Sequence, residues 1–328
     1  MALRKTTLPS SGNDVLQSPI AVFQSLPLPR YTGSIMSMST FREALQAYGQ
    51  QDYAGATQHT QGALDQMPNS LVYAEALKYL QRVQREGKSN VYVSPEAFSA
   101  FIRGGGNVPL YENTSTALKR VYDEYDSLSL LDVGAGDGLA LLPALTHAKA
   151  RIRHLDVLEP SLAMLNKASD ALNQLNIDHR AINATIQQFM VASPGHYDVI
   201  ESTYAMQSLR PEERPQVLSW LRRHAGRVLI VEFDAPDFAD MYDPERVLYF
   251  VEHYERGLDE YPDDGGLVAQ GFLMPVFFGG FDPGEARVNW EMPIAEWVRH
   301  LRDVGFNDIR TELIYDYWWA PAFLIDAK

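Results

Sequence analysis

Residues 130–138 read Leu-Leu-Asp-Val-Gly-Ala-Gly-Asp-Gly, an apolar run that passes into glycines at every second position. The run predicts a buried strand. Glycines directly after it permit a tight turn and let backbone N–H groups approach a ligand with no side chain in between. Residues 139–146 then carry a helical pattern. About twenty residues beyond the glycines, the next predicted strand ends at Glu159-Pro160, which puts a carboxylate at a strand tip, where it can accept from both hydroxyls of a ribose. A dinucleotide site would want its third glycine one residue later, as G-x-G-x-x-G, but position 139 is Leu139.

The surrounding pattern repeats the unit. Strands are expected at 128–133, 152–158, near 179–182, at 197–201 and at 227–233, with helices at 139–146, 162–175 and 216–225 between them. This alternation predicts a doubly wound α/β sheet. A last helix at 293–304, a Gly305-Phe306 turn and two apolar runs at 309–315 and 318–325 predict a C-terminal antiparallel hairpin on the sheet edge, making seven strands.

Upstream, the chain divides by texture. Residues 1–38, with Pro9, Pro19, Pro27 and Pro29 among Ser, Thr and Gly, predict a tail or surface arm. Residues 39–103 predict a helical N-terminal subdomain. Phe41, Ala44, Leu45 and Tyr48, then Ala56, Thr60, Ala63, Leu64 and Met67, recur at helical spacing, and further helices are expected at 71–84 and 95–102. Asp52-Tyr53-x-x-Ala56, Ala63-Leu64 and Pro68 resemble one tetratricopeptide unit, which cannot bury its face alone, so a helical lid or a dimerisation element is expected. Gly104 to Asn107 predicts a break before a helix at 116–125. Residues 104–235 are the expected ligand-binding core, 236–290 an irregular lid or substrate insert, and 291–328 the helix and hairpin that complete the core.

Composition narrows the partners. The 328 residues are 46% hydrophobic, enough for a proper core, with no run long enough to span a membrane and no secretory signal, so a cytoplasmic protein is expected. A formal charge of −14 opposes a phosphate backbone, so nucleic acid is not an expected partner. There is no cysteine, which excludes disulfides and thiolate chemistry, and no metal site is expected. A homo-oligomer is compatible with all of this.

Alternating glycines after a strand, followed at this distance by an acidic strand end, resemble the class I (Rossmann-like) S-adenosylmethionine-dependent methyltransferase family, from about Tyr111 to the C-terminus and most strongly from 130 to 209. The resemblance implies a seventh strand inserted antiparallel, and S-adenosyl-L-methionine as cofactor. It implies that Asp132, Gly134, Gly136 and Gly138 surround the methionine moiety, that Glu159-Pro160 holds the ribose, and that Asn183-Ala184-Thr185 lines the adenine. Glu201-Ser202 and Tyr204 to Gln207 follow the fourth strand, where the family meets the transferred methyl and the acceptor. Tyr111 sits where relatives send a tyrosine to the cofactor's carboxylate end. Many relatives have a histidine near Gln207, and its absence here removes a familiar base.

Methyl transfer from a sulfonium is an in-line displacement, so a protein mainly supplies alignment, a dry pocket and proton removal. His253 is the first candidate base, as the one histidine in an aromatic segment, with Glu201, Tyr204 and Asp234 as competitors. Tyr204, Gln207, Tyr249, His253, Tyr254 and Phe277 are expected to meet the substrate, a small molecule with an N, O or C nucleophile, of the kind found in specialised metabolism. Two other readings stay open: a protein or peptide methyltransferase docked by the N-terminal helices, and a relative that binds the cofactor while guiding a cyclisation.

Overall fold

The computed structural model describes residues 35–88, 94–191, 195–262, 264 and 266–328. Most of the expected tail, residues 1–34, lies outside the described residues. Its last four residues do not belong to it. The first helix, α1 (Ile35–Gly49), starts ahead of the expected residue 39 and buries Ser37, whose hydroxyl reaches Met67 Sδ at 3.1 Å.

Four more helices precede the sheet: α2 (Tyr53–Gln66), α3 (Leu71–Glu86), α4 (Pro95–Ile102) and α5 (Asn107–Tyr122). Their N-termini are written in the sequence. Asp52 accepts from Gly55 N, Ser70 from Tyr73 N and Ser94 from Ala97 N, each meeting a donor the first turn leaves without a partner. Helix α5 begins well before the expected 116. Pro109 falls in its first turn, where the missing N–H would have had no partner anyway.

The sheet and its helices follow as β1 (Ser127–Val133), α6 (Leu141–His147), β2 (Arg151–Leu158), α7 (Leu162–Gln174), β3 (Arg180–Ile182), α8 (Ile186–Val191), β4 (Tyr197–Thr203), α9 (Arg214–His224) and β5 (Ala225–Phe233). The chain continues through α10 (Pro244–Asp259), α11 (Met274–Gly279), α12 (Ile294–Asp303), β6 (Ile309–Asp316) and β7 (Pro321–Ala327). The seven strands lie in the order β3-β2-β1-β4-β5-β7-β6. β1 to β5 run parallel, while β7 inserts antiparallel between β5 and β6, with Ile230 opposite Ile325. Order reverses between β1 and β4, which opens a crevice at the carboxyl ends of those strands.

The stretch 236–290, expected to be irregular, is largely helical. Its α10 and α11 share one apolar core with α1 to α4: Phe277 packs on Phe41, Phe278 on Tyr48 and Tyr79, and Tyr254 meets Phe277 edge-on at 4.9 Å. The apolar faces of the tetratricopeptide-like helices are thereby covered. Carboxylates fasten the same joint. Glu255 of α10 accepts from Leu71 N at 2.6 Å and Val72 N at 3.0 Å, at the positive end of α3, and Glu260 accepts from Gly106 N at 2.8 Å where α5 begins.

Phe277, expected at the substrate, is therefore a core residue with no exposed surface, and Tyr254 is buried with it. Their helical spacing satisfies packing between α10, α11 and α1 rather than a ligand. Phe277→Ala should lower unfolding free energy in urea by about 3–5 kcal/mol. A ring lining an open chamber would change it by no more than about 0.5 kcal/mol.

Candidate active site

At the tip of β1 the chain turns under tight constraint. Gly134 N and Ala135 N donate to Leu158 O at 2.8 and 3.3 Å, and a Cβ on Gly134 (φ 75°) would stand 2.5 Å from the Ala205 side chain beyond β4. Gly136 (φ 58°) differs: a Cβ there meets nothing within 4 Å, so this peptide faces open space. Its N–H donates to Glu159 Oε2 at 3.0 Å, while Glu159 Oε1 accepts from Ser161 N at 2.8 Å. Gly138 carries the turn on towards α6, and Asp137 beside it is ion-paired with Arg103 at 2.6 Å.

Buried carboxyls gather behind this loop. Asp132 is 2% exposed, and its Oδ1 has no hydrogen-bond partner. Burial pushes its carboxyl well above the ordinary range, and the charge of Glu159 adds to the rise. Glu201, its register neighbour on β4, is raised by burial and by Asp132, and both its oxygens accept from Tyr122 OH at 2.6 Å. Ser202 spends its hydroxyl on Val133 O at 2.8 Å. Glu201 and Ser202 thus tie β4 to its neighbours beneath the surface and do not line it.

Beyond β4, Tyr204 adopts a left-handed φ of 55°, a conformation that costs a non-glycine residue energy and often marks a functional position. Three contacts hold it. Its N–H donates to Val231 O at 2.8 Å, its hydroxyl shares a hydrogen bond with Thr114 at 2.8 Å, and its ring stacks on Phe233 at 4.8 Å. Tyr111 meets the same ring edge-on at 5.7 Å. Gln207 follows, donating its N–H to buried Glu232 at 3.0 Å and accepting from Trp290 N at 2.8 Å. Burial raises Glu232 to about 8. Arg214, itself buried, donates to Leu209 O and Trp290 O, which locks the 206–209 turn against residues 290–292.

Over this edge stand residues the sequence did not single out. Trp319, in the β6–β7 turn, donates its indole N–H to Glu291 Oε1 at 3.0 Å, and Tyr249 OH donates to Trp319 O at 2.7 Å. Glu291 keeps part of its surface, and burial brings it up to about 7. Tyr249 is half-buried here. His253 is not open to a substrate. It is 4% exposed, stacks on Tyr249 at 3.7 Å, and donates Nδ1–H to Tyr249 O at 2.7 Å. Burial lowers it to about 4, so it stays neutral through the physiological range instead of titrating near neutrality. Asp234 accepts from Ile294 N at 2.8 Å at the start of α12.

The loop after β3 faces the tip of β2. Asn183 donates to Glu159 O at 3.0 Å and Pro160 O at 2.8 Å, which fixes that tip, and Thr185 exchanges hydrogen bonds with Gln188 across the first turn of α8. The strand order, the open peptide at Gly136, the strand-tip carboxylate and the partnerless Asp132 oxygen thus come together at the carboxyl ends of β1 and β2, the place where Rossmann-like sheets take their ligands.

Residues 130–226 match the family model described as a methyltransferase domain. Over these residues the chain carries a methyltransferase domain, in keeping with the glycine turn after β1 and the acid at the tip of β2. No curated protein matches the sequence. Among solved structures, the chain is similar to magnesium protoporphyrin IX methyltransferase of Synechocystis PCC 6803 with bound SAH, at 17% identity over 71% of this chain and 92% of that one, with a TM-score of 0.47. It is also similar to the mitomycin 7-O-methyltransferase MmcR (14%, 83% and 72%, 0.46) and to a SAM-dependent methyltransferase from Aquifex aeolicus (14%, 71% and 96%, 0.43).

The two glycines should respond differently to alanine. Both substitutions incur a left-handed strain of about 1–2 kcal/mol, but only Gly134→Ala also collides with Ala205. In urea melts Gly134→Ala should therefore be the less stable protein; equal losses would contradict the close approach of the β1 and β4 tips.

Proposed function

We propose that the protein transfers a methyl group from S-adenosylmethionine to a small-molecule acceptor held in the crevice between the tips of β4 and β5 and the helical cap. The observation that carries this reading is the union of a cofactor-type loop with a half-exposed ring of Tyr204, Gln207, Tyr249, Glu291 and Trp319 at the neighbouring strand ends. The cofactor, when bound, supplies an activated methyl on a sulfonium. Glu159 would hold its ribose, Asp132 and the peptides of Gly134 to Gly138 its methionine end together with Tyr111, and the main chain of Asn183 to Thr185 its adenine.

The chain's remaining work is alignment and proton removal. Tyr204, backed by the Phe233 ring stacked on it, offers one aromatic wall, and Trp319 with Tyr249 edge-on to it a second, suited to an apolar acceptor. Glu291 is the group best placed to take the acceptor's proton. The Trp319 indole orients it, its affinity for a proton lies near neutrality, and part of its surface stays open. A cap whose apolar faces are already packed on α10 and α11 favours a small acceptor over a docked peptide, for which such faces would stay free. Acceptors of specialised metabolism are the natural first panel.

The test is formation of S-adenosylhomocysteine with a panel of small phenols, amines and carbon acids, followed by kinetics on the best acceptor. Because Glu291 acts when ionised, kcat/KM should rise with pH through about 7 and level off above it. Glu291→Gln should lower kcat by roughly 10²–10⁴-fold and flatten that limb, while His253→Ala stays within about threefold at pH 8. An unchanged pH profile in Glu291→Gln would remove Glu291 as the base.

A further inference from the structure

Asp132 and Glu201 are Cα partners on adjacent parallel strands, with 2% and 1% exposure, and among the described residues no Lys, Arg or His acts on either carboxyl. Their surroundings can be named element by element. From α5 comes Tyr122, whose single hydroxyl proton lies between the two Glu201 oxygens. Lys119 and Arg120 on the same helix are turned to Asp123 and Glu312. From the tip of β2 comes Glu159, a third carboxylate, and from the glycine loop Asp137, which is paired with Arg103. The register partners on the outer sides are Val157 on β2 and Leu229 on β5, both apolar. Two bare carboxylates in such a place would repel each other with little water to screen them, and Asp132 Oδ1 would be a charged oxygen with no donor. A glutamate that follows Val199-Ile200 in a buried strand serves no packing purpose that valine would not serve better.

We propose that Asp132 and Glu201 form a proton-sharing acid pair whose ionisation is linked to cofactor binding, so that S-adenosylmethionine expels a proton to solvent as it binds. The inference rests on the cofactor site described above. Positive charge on the ligand stabilises the ionised pair. S-adenosylmethionine brings a sulfonium and an ammonium, S-adenosylhomocysteine only the ammonium, so the substrate form expels more proton than the product form. By linkage, affinity for S-adenosylmethionine rises with pH by up to about tenfold per unit for each proton expelled, and the preference over the product rises with it. Tyr122 is a positioning residue that keeps Glu201 at its station.

Calorimetric titration at pH 7 in two buffers of different ionisation enthalpy counts the protons. Wild type should release more proton with S-adenosylmethionine than with S-adenosylhomocysteine. Glu201→Gln, which leaves Asp132 without its competitor, should release less and show a flatter affinity between pH 6 and 8. The ligand's own amino group titrates alike with both proteins and drops out of the difference. Should Glu201→Gln fold poorly, infrared difference spectra of the wild type serve instead: adding S-adenosylmethionine should bleach a protonated-carboxyl band. Cofactor binding with equal proton counts in both proteins, or with no bleached band, overturns the acid pair and leaves the methyltransferase reading standing. Absence of cofactor binding by the wild type overturns both.

Discussion

Four neighbouring parallel strands each end on a carboxylic acid: Asp132 on β1, Glu159 after β2, Glu201 on β4 and Glu232 on β5, all of them 8% exposed or less. Burying so much potential charge is costly unless each group finds donors or keeps a proton. Much of the local architecture answers that need. The glycine turn supplies Gly136 N–H to Glu159, the turn after β4 supplies Gln207 N–H to Glu232, and α5 brings Tyr122 to Glu201. Of the four, Asp132 alone has an oxygen without a partner, and with Glu201 it flanks the point where the strand order reverses.

The cap follows from a second constraint, the aromatic joint. Rings from α1, α3, α10 and α11 form one core with the Tyr317–Trp319 corner between β6 and β7, and Tyr204, Phe233 and Tyr317 continue the stack into the sheet edge. The left-handed Tyr204 and the Trp319–Glu291 bond therefore sit where cap and sheet meet. Displacing α10 would disturb both crevice walls and also remove the carboxylates that cap α3 and α5.

The sheet was legible in the sequence because its signals are local: apolar runs of strand length, glycines after the first, an acid after the second, and a Gly-Phe turn before the last pair. The glycine loop was legible for the same reason, since its geometry is written in backbone requirements. Side-chain roles were harder. His253 stands out in sequence as a lone histidine among aromatics, but burial against Tyr249 removes it from the surface. Phe277 and Tyr254 share the spacing of any core helix, and only the packing of α1 reveals which side they face. Glu291 has no local signature, because its neighbours Trp319 and Tyr249 come from two distant segments. Glu232 did carry a signal that could have been used: a single acid inside Val228-Leu229-Ile230-Val231-Glu232-Phe233 must have a buried partner.

The central claim is that the cofactor lies across the tips of β1 and β2 with its ribose on Glu159. That carboxylate keeps lone pairs free after accepting from Gly136 and Ser161, and charge-assisted bonds to two hydroxyls are each worth about 1.5–3 kcal/mol. Calorimetric titration of S-adenosylmethionine into wild type, Glu159→Gln and Glu159→Ala measures it. Affinity should fall by roughly one to three orders of magnitude in Glu159→Ala, with Glu159→Gln between the two and folding preserved. Equal affinities in the three proteins would mean that the ribose lies elsewhere, and the placement of the cofactor on the glycine loop would fall with it.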